Sequence, residues 1–393
     1  MALDPRTLAL AADHPLRRAR PIALAAGGIA LALCGIGAIL DPTQFLRSYL
    51  VGYLLWFGIA LGCLAVLMIH HIAGGAWGAV VRRVLESAAG TVPLLAVLFL
   101  PIALGVHQLY EWAHPGVLEH DPLLRAKSAY LNVPFFLARA VVYFAVWTAV
   151  AWTLNRWSSD QDRADDGSVT HRLELLSRGG LVLYGLTVTF AAIDWAMSLE
   201  PHWFSTIYGL LLMGGQGVSA FAFVIPVAAL LAQQGTLSRV IGRDQFRDLG
   251  SFLLAFVMIW AYLSISQLLI IWSGNLPEET GWYLKRSEHG WLWVGYGLVV
   301  AHFVLPFFAL LSSKLKRNAP TLAMVACWLM VARWVDLYWL VQPSFGGNGP
   351  IPHWMDLAAP IGVGGLWLWF FLGRLASRPV IAVGDPMLPE VES

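Results

Sequence analysis

Along the chain, apolar positions gather into ten long runs, at about 21–40, 48–69, 91–110, 133–154, 179–199, 205–231, 249–273, 291–312, 320–341 and 355–374, with polar links between them. A helix needs roughly 20 consecutive apolar residues to cross a bilayer core, so each run is read as one spanning helix. The pattern predicts an all-α integral membrane protein with ten transmembrane helices. The first run follows Arg17, Arg18 and Arg20, as a secretion signal would, but Leu33 before Cys34 is too large for a processing site and no small-x-small site follows, so the run is expected to be a retained helix. The longest links are 155–178, expected as a surface loop with a short amphipathic end, 111–132 and 274–290. The tail from about residue 379 has prolines and no apolar period, and is expected to be extended.

Composition agrees with lipid as the solvent. Charged residues make up 12% of the chain, against about 25% in soluble domains. The net charge of +1 provides no field for nucleic acid. Cys34, Cys63 and Cys327 all lie in apolar runs, and none forms the C-x-x-C or C-x-x-C-H spacing of iron–sulfur or covalent haem sites. Basic residues set orientation, because cytoplasmic links are enriched in Lys and Arg. With ten spans, eighteen of the 25 fall on one side, including Arg6, Arg82, Arg83, Arg163, Arg239, Lys314 and Arg378. Five fall on the other side, and Arg139 and Arg333 lie within spans. Both termini are therefore expected to be cytoplasmic.

Two stretches, DWAMSLEPHW (194–203) and DLYWLVQP (336–343), each place an aspartate seven residues before a proline near the outer end of an apolar run. Four helices separate them, as expected of two parallel repeats related by an axis along the membrane normal. The expected organisation is a cytoplasmic tail (1–20), a peripheral helix (21–40), a four-helix bundle of helices 2–5 (48–200), a second of helices 6–9 (204–343), a peripheral tenth helix (355–374) and a cytoplasmic tail (375–393).

Ionisable residues inside spans are costly and point to function by default. Arg333 and Asp336 are three apart on one helical face and pair locally; they are either a self-satisfied bridge or an arginine-tuned carboxylate. Asp194 has no basic residue within four positions on its helix, and Arg139, at similar depth on helix 4, is its best partner. It is either a second bridge or a proton carrier, with Thr187 on the same face two turns inward and Tyr184 slightly off that line. His302 lies near the middle of helix 8 and reads as a packing residue or a proton relay. His70 and His71, His302, and His107 sit at inner, middle and outer levels, so no bis-histidine haem pair forms, and neither haem nor metal is expected on this chain. The Gly214–Gly217 stretch, GGQG, is read as a close-packing device or a ligand pocket, and Trp195, Trp203, Trp282, Trp291 and Trp354 as an outer aromatic belt or a docking surface.

Four segments carry a resemblance: HDPLLRAKSAYLNVPFFLAR (120–139), DWAMSLEPHWFSTIYG (194–209), HFVLPFFALLSSKLKRN (302–318) and RWVDLYWLVQP (333–343). They resemble the ActF subunits of bacterial alternative complex III, a quinol:cytochrome c (or other acceptor) oxidoreductase, and more broadly the NrfD-type membrane subunits. The resemblance implies a bacterial inner-membrane subunit of a respiratory electron-transfer complex, without its own redox metal and not catalytic alone. It implies partners: a sister ActC-like quinol-binding subunit, an iron–sulfur protein, and multihaem and monohaem c-type cytochromes, which hold the haem c, iron–sulfur clusters and quinol. Transferred by position, Asp194, Arg139, Arg333 and Asp336 occupy the interiors of the two bundles. No quinone site can be matched residue by residue. Two other classes stay open: a secondary transporter of parallel repeats, and a purely structural membrane anchor.

Overall fold

The computed structural model describes residues 10–11, 13–162, 168–233, 240–346 and 349–388. Within them are ten helices long and apolar enough to cross a membrane: helix 1 (Pro15–Leu40), helix 2 (Pro42–Ala73), helix 3 (Arg82–Leu104), helix 4 (Val133–Gln161), helix 5 (Ser168–Leu199), helix 6 (Tyr208–Leu231), helix 7 (Arg243–Gly274), helix 8 (Trp291–Leu311), helix 9 (Ala319–Phe345) and helix 10 (Trp354–Leu375). No strand occurs among the described residues. The chain is a multi-pass, all-α membrane protein.

Local chemistry sets several helix starts. Asp41, Asn132 and Asn318 each accept a backbone N–H with their side chains, from Gln44, Phe135 and Thr321, and a proline stands in the first turn of each helix. The side chain satisfies an orphan donor, and proline has none to lose there. Inside helix 3, Pro93 and Pro101 interrupt the hydrogen-bond ladder, and the helix runs as three shorter segments.

Helix 2 is the axis of the molecule. It is buried along nearly its whole length and packs against helices 1, 3, 5, 6, 9 and 10. Helices 2, 3, 4 and 5 pack in a ring, as do helices 6, 7, 8 and 9, and helix 2 meets helix 6 between them. Two close approaches require glycine. A Cβ on Gly62 would collide with the Gln216 carbonyl oxygen on helix 6, and one on Gly27 of helix 1 would lie 2.8 Å from the Gly365 Cα on helix 10. The GGQG stretch of helix 6 thus lies at a helix crossing, as small residues allow where no hydrophobic force separates helix from lipid.

The structure corrects three expectations. The 155–178 link is mostly helix, because helix 4 runs to Gln161 and helix 5 begins at Ser168. Helix 3 begins nine residues early, at Arg82, where Arg82 and Arg83 are 1% exposed because Glu86 neutralises both. The tail is not extended: Val380, Ile381 and Ala382 are buried and Asp385 is 6% exposed, ion-paired to Arg82. Both tails lie at one end of the helices, where His14 bonds the Leu230 carbonyl and Asp385 bonds His70. Arg6, Arg163, Arg239 and the last five residues lie outside the described residues.

Candidate functional site

Asp194 stands in the last turn of the α-helical part of helix 5, closer to its end than the sequence pattern indicated, and is fully buried. Its carboxylate accepts two hydrogen bonds from Arg139 on helix 4, both at 2.8 Å, and a third at 2.8 Å from the Tyr143 hydroxyl. Arg139 also donates to the Tyr130 carbonyl at 2.9 Å, and its guanidinium lies 3.8 Å from the Tyr130 ring centroid and 4.3 Å from that of Phe135. The fork of Arg matches a carboxylate in two parallel bonds, and the Tyr143 hydroxyl adds a third. A buried pair is tolerated only when satisfied in this way.

Below Asp194 the first ring is aromatic. Trp195, expected in the outer belt, is instead 1% exposed and packs on Tyr53, Phe57, Phe99, Phe144 and Trp147. Thr187 accepts the Trp147 indole N–H at 2.7 Å and donates to the Leu183 carbonyl. Tyr184 donates to Gln216 of helix 6 at 2.6 Å. These groups share a side of the ring with Asp194, yet each is bonded elsewhere.

The second centre has a different construction. Arg333 and Asp336 pair along helix 9. The Trp260 indole of helix 7 donates to the same carboxylate at 3.1 Å. The Arg333 guanidinium lies against Gly215 of helix 6, where a Cβ would collide with it. The His302 ring centroid is 3.9 Å from that of Trp260; the residue is fully buried, and neither ring nitrogen has a partner among the described residues. It sits in Val299–Val304, a wider turn of helix 8 with π-helical bonding, a feature frequent at functional sites. Asp336 also lines a cavity of about 270 Å³ between helices 7, 8 and 9. Ile265, Leu268 and Tyr296 at its rim are exposed on the outer faces of their helices. The first centre is thus closed on itself, whereas the second combines a carboxylate, a free imidazole and an open side.

Two polar networks escaped the sequence pattern. At the end of the helices opposite the tails, Glu200 bonds Arg286 at 2.9 Å, Lys285 at 3.1 Å and Ser344 at 2.9 Å, tying the 5–6 connection to the 277–285 helix and the end of helix 9. Burial alone would raise the Glu200 pKa, but the Arg286 and Lys285 charges hold it below the ordinary glutamate value. Arg286 lies 3.5 Å from the Trp282 ring centroid, and Trp282 stacks on Trp203 at 4.9 Å, so these two tryptophans build a cap. At the end that carries the tails, Arg82 bonds Glu86 and Asp385, both at 2.9 Å, and Ser158 at 3.0 Å, while Arg83 bonds Glu86 at 2.6 Å and pairs with Asp162. The R-R-x-x-E spacing is the signal that marks the first of these pairs in the sequence. Compared with known proteins, the chain matches no family model and no curated sequence.

Proposed function

We propose that the chain is a membrane subunit of a quinol-oxidising respiratory complex of the alternative complex III type, in the bacterial inner membrane with both termini cytoplasmic. In this reading it has no redox metal of its own, conducts protons, and supports assembly beside a quinol-binding sister subunit, an iron–sulfur protein and c-type cytochromes. The sequence segments quoted above support the family, and the charge bias of the links supports the orientation. The observation that carries the proton role is the asymmetry of the two buried centres. Asp194 accepts three short hydrogen bonds, two from the Arg139 fork and one from Tyr143, so in this reading it serves as a clamp between helices 4 and 5. Asp336 is bonded by Arg333 and Trp260 but borders a cavity, and among the described residues His302 beside Trp260 has no partner at either nitrogen. A carboxylate and an imidazole within one low-dielectric cluster are the groups through which proton uptake and release is arranged. In this reading Asp336 and His302 exchange protons, and Arg333 sets the charge of the site. Tyr184 and Thr187, although sequence candidates, belong to the packing of the first ring.

The test uses the intact complex. Asp336→Asn leaves Arg333 without its buried partner, so assembly is measured first; in the assembled complexes it is expected to keep electron transfer and to lower the protons moved per electron, with Asp194→Asn as the comparison that mainly weakens assembly. Unchanged proton yield in a fully assembled Asp336→Asn complex would defeat the proton role. A purified chain that brings no haem or iron with it and moves a solute alone would defeat the respiratory reading.

A further inference from the structure

The C-terminal tail does more than end the chain. Residues Val380, Ile381 and Ala382 are 1%, 0% and 1% exposed, which makes them an apolar foot set into the inner end of the first ring. Beyond the foot, Asp385 bonds His70 of helix 2 at 3.0 Å and Arg82 of helix 3 at 2.9 Å, and the Gly384 N–H reaches Asp162 past helix 4 at 3.4 Å. Under this segment lies a cavity of about 50 Å³, whose lining includes His71, Gln161, Leu173 and Asp385. Nε2 of His71 is buried without a partner among the described residues. A polar space of that size suits one or two waters. Its other walls belong to helices 2, 3, 4 and 5; the side formed by Asp385, Pro386 and Met387 belongs to no helix.

We propose that residues 383–388 are a lid, hinged on the 380–382 foot, which closes a water-holding chamber at the inner end of the first ring and opens it to bulk water when Asp385 leaves His70 and Arg82. The energetics favour a movable element. Val383 and Leu388 of the lid pack partly on the core, but its buried anchor is the ion contact of Asp385, and ions regain their hydration when they separate into water, so that contact adds little net stability. The foot holds the hinge in place by apolar burial, which undocking of the lid leaves intact. Such low-cost local openings are where moving elements are found. The inference concerns access of water and stands apart from the respiratory reading, because its readout is accessibility rather than turnover.

The experiment places a cysteine at Leu173, a chamber residue that is 1% exposed, in a Cys327→Ser background. The full chain is held in membrane vesicles with the inner face outward and treated with a membrane-impermeant thiol reagent. Two lesions of different chemistry release the lid: Asp385→Ala removes the charge, and Gly384→Ala adds a Cβ that collides with the Gln161 carbonyl oxygen. Both are expected to speed labelling by about tenfold or more, since a buried charge loses its partner in one and backbone contact is broken in the other. Hydrogen exchange read on the same variants without the probe cysteine is expected to rise at 383–388 and to stay unchanged in helices 2 to 5. Labelling as fast in the parent as in the variants, or unchanged by both lesions, overturns the lid, as does exchange at 383–388 in the parent at the rate of an unstructured peptide.

Discussion

Arg139→Leu removes the cation that faces Asp194 while keeping an apolar side chain on helix 4. The carboxylate it abandons is fully buried and retains only the Tyr143 hydroxyl. Breaking a buried pair from one side costs about 3–5 kcal/mol, because the remaining charge has neither water nor counter-ion. The contacts of the guanidinium with the Tyr130 and Phe135 rings add further stabilisation, about 0.5–1 kcal/mol each at exposed sites and about 2 kcal/mol when desolvated. A hydrogen bond to a charged group is worth about 1.5–3 kcal/mol, so Tyr143→Phe, which leaves the Arg139 fork in place, is expected to cost less than Arg139→Leu. The decisive variant is the double substitution, Arg139→Leu with Asp194→Leu. With both charges gone, no uncompensated ion remains, and the double variant is expected to be more stable than Arg139→Leu alone. Denaturant titration of the purified chain in detergent, arranged as a double-mutant cycle, yields the coupling directly. If Arg139→Leu lies within about 0.5 kcal/mol of the parent, or the double variant loses the full sum of the two singles, the buried pair is not the clamp described above.

Two further outcomes follow from the packing and the outer cap. Gly62→Leu is expected to force helix 2 away from helix 6, because even a Cβ collides with the Gln216 carbonyl oxygen; loss of monodisperse protein at a lower temperature than in Gly58→Ala, whose Cβ meets nothing nearer than 3.6 Å, checks it. Because the Glu200 carboxyl sits below its ordinary value, its link to Arg286 and Lys285 is fully stabilising above about pH 4.3 and is lost as pH falls through the lower folded value. Hydrogen exchange at 277–290 is therefore expected to show pH-independent structural protection from neutral pH down to about 5 and to lose it in stronger acid, whereas Glu200→Gln is expected to be deprotected already at neutral pH.

The aspartates show what can be read from local pattern and what cannot. Asp336 and Arg333 are three residues apart, so their pairing is a property of one helix and is legible at once. Asp194 and Arg139 lie on different helices; similar depth in the membrane was enough to pair them, because few charges are available at that level to choose from. Trp195 misled, since a tryptophan near a span end is equally suited to an interface and to a core, and only its neighbours Phe99 and Trp147 decide. His302 was visible as a lone histidine, but its place against Trp260 depends on how helices 7 and 8 meet.

Hydropathy acts over about 20 residues in sequence, and for that reason the sequence by itself determined the ten crossings and the presence of Arg139, Asp194, Arg333 and Asp336 within them. The tertiary structure alone decided that Asp194 is held by Arg139 and Tyr143 while Asp336 borders open space, that Glu200 joins three segments, and that Asp385 of the tail returns to His70 and Arg82. Satisfaction of a buried polar group depends on atoms that arrive from distant parts of the chain, and no local average of apolar character contains them.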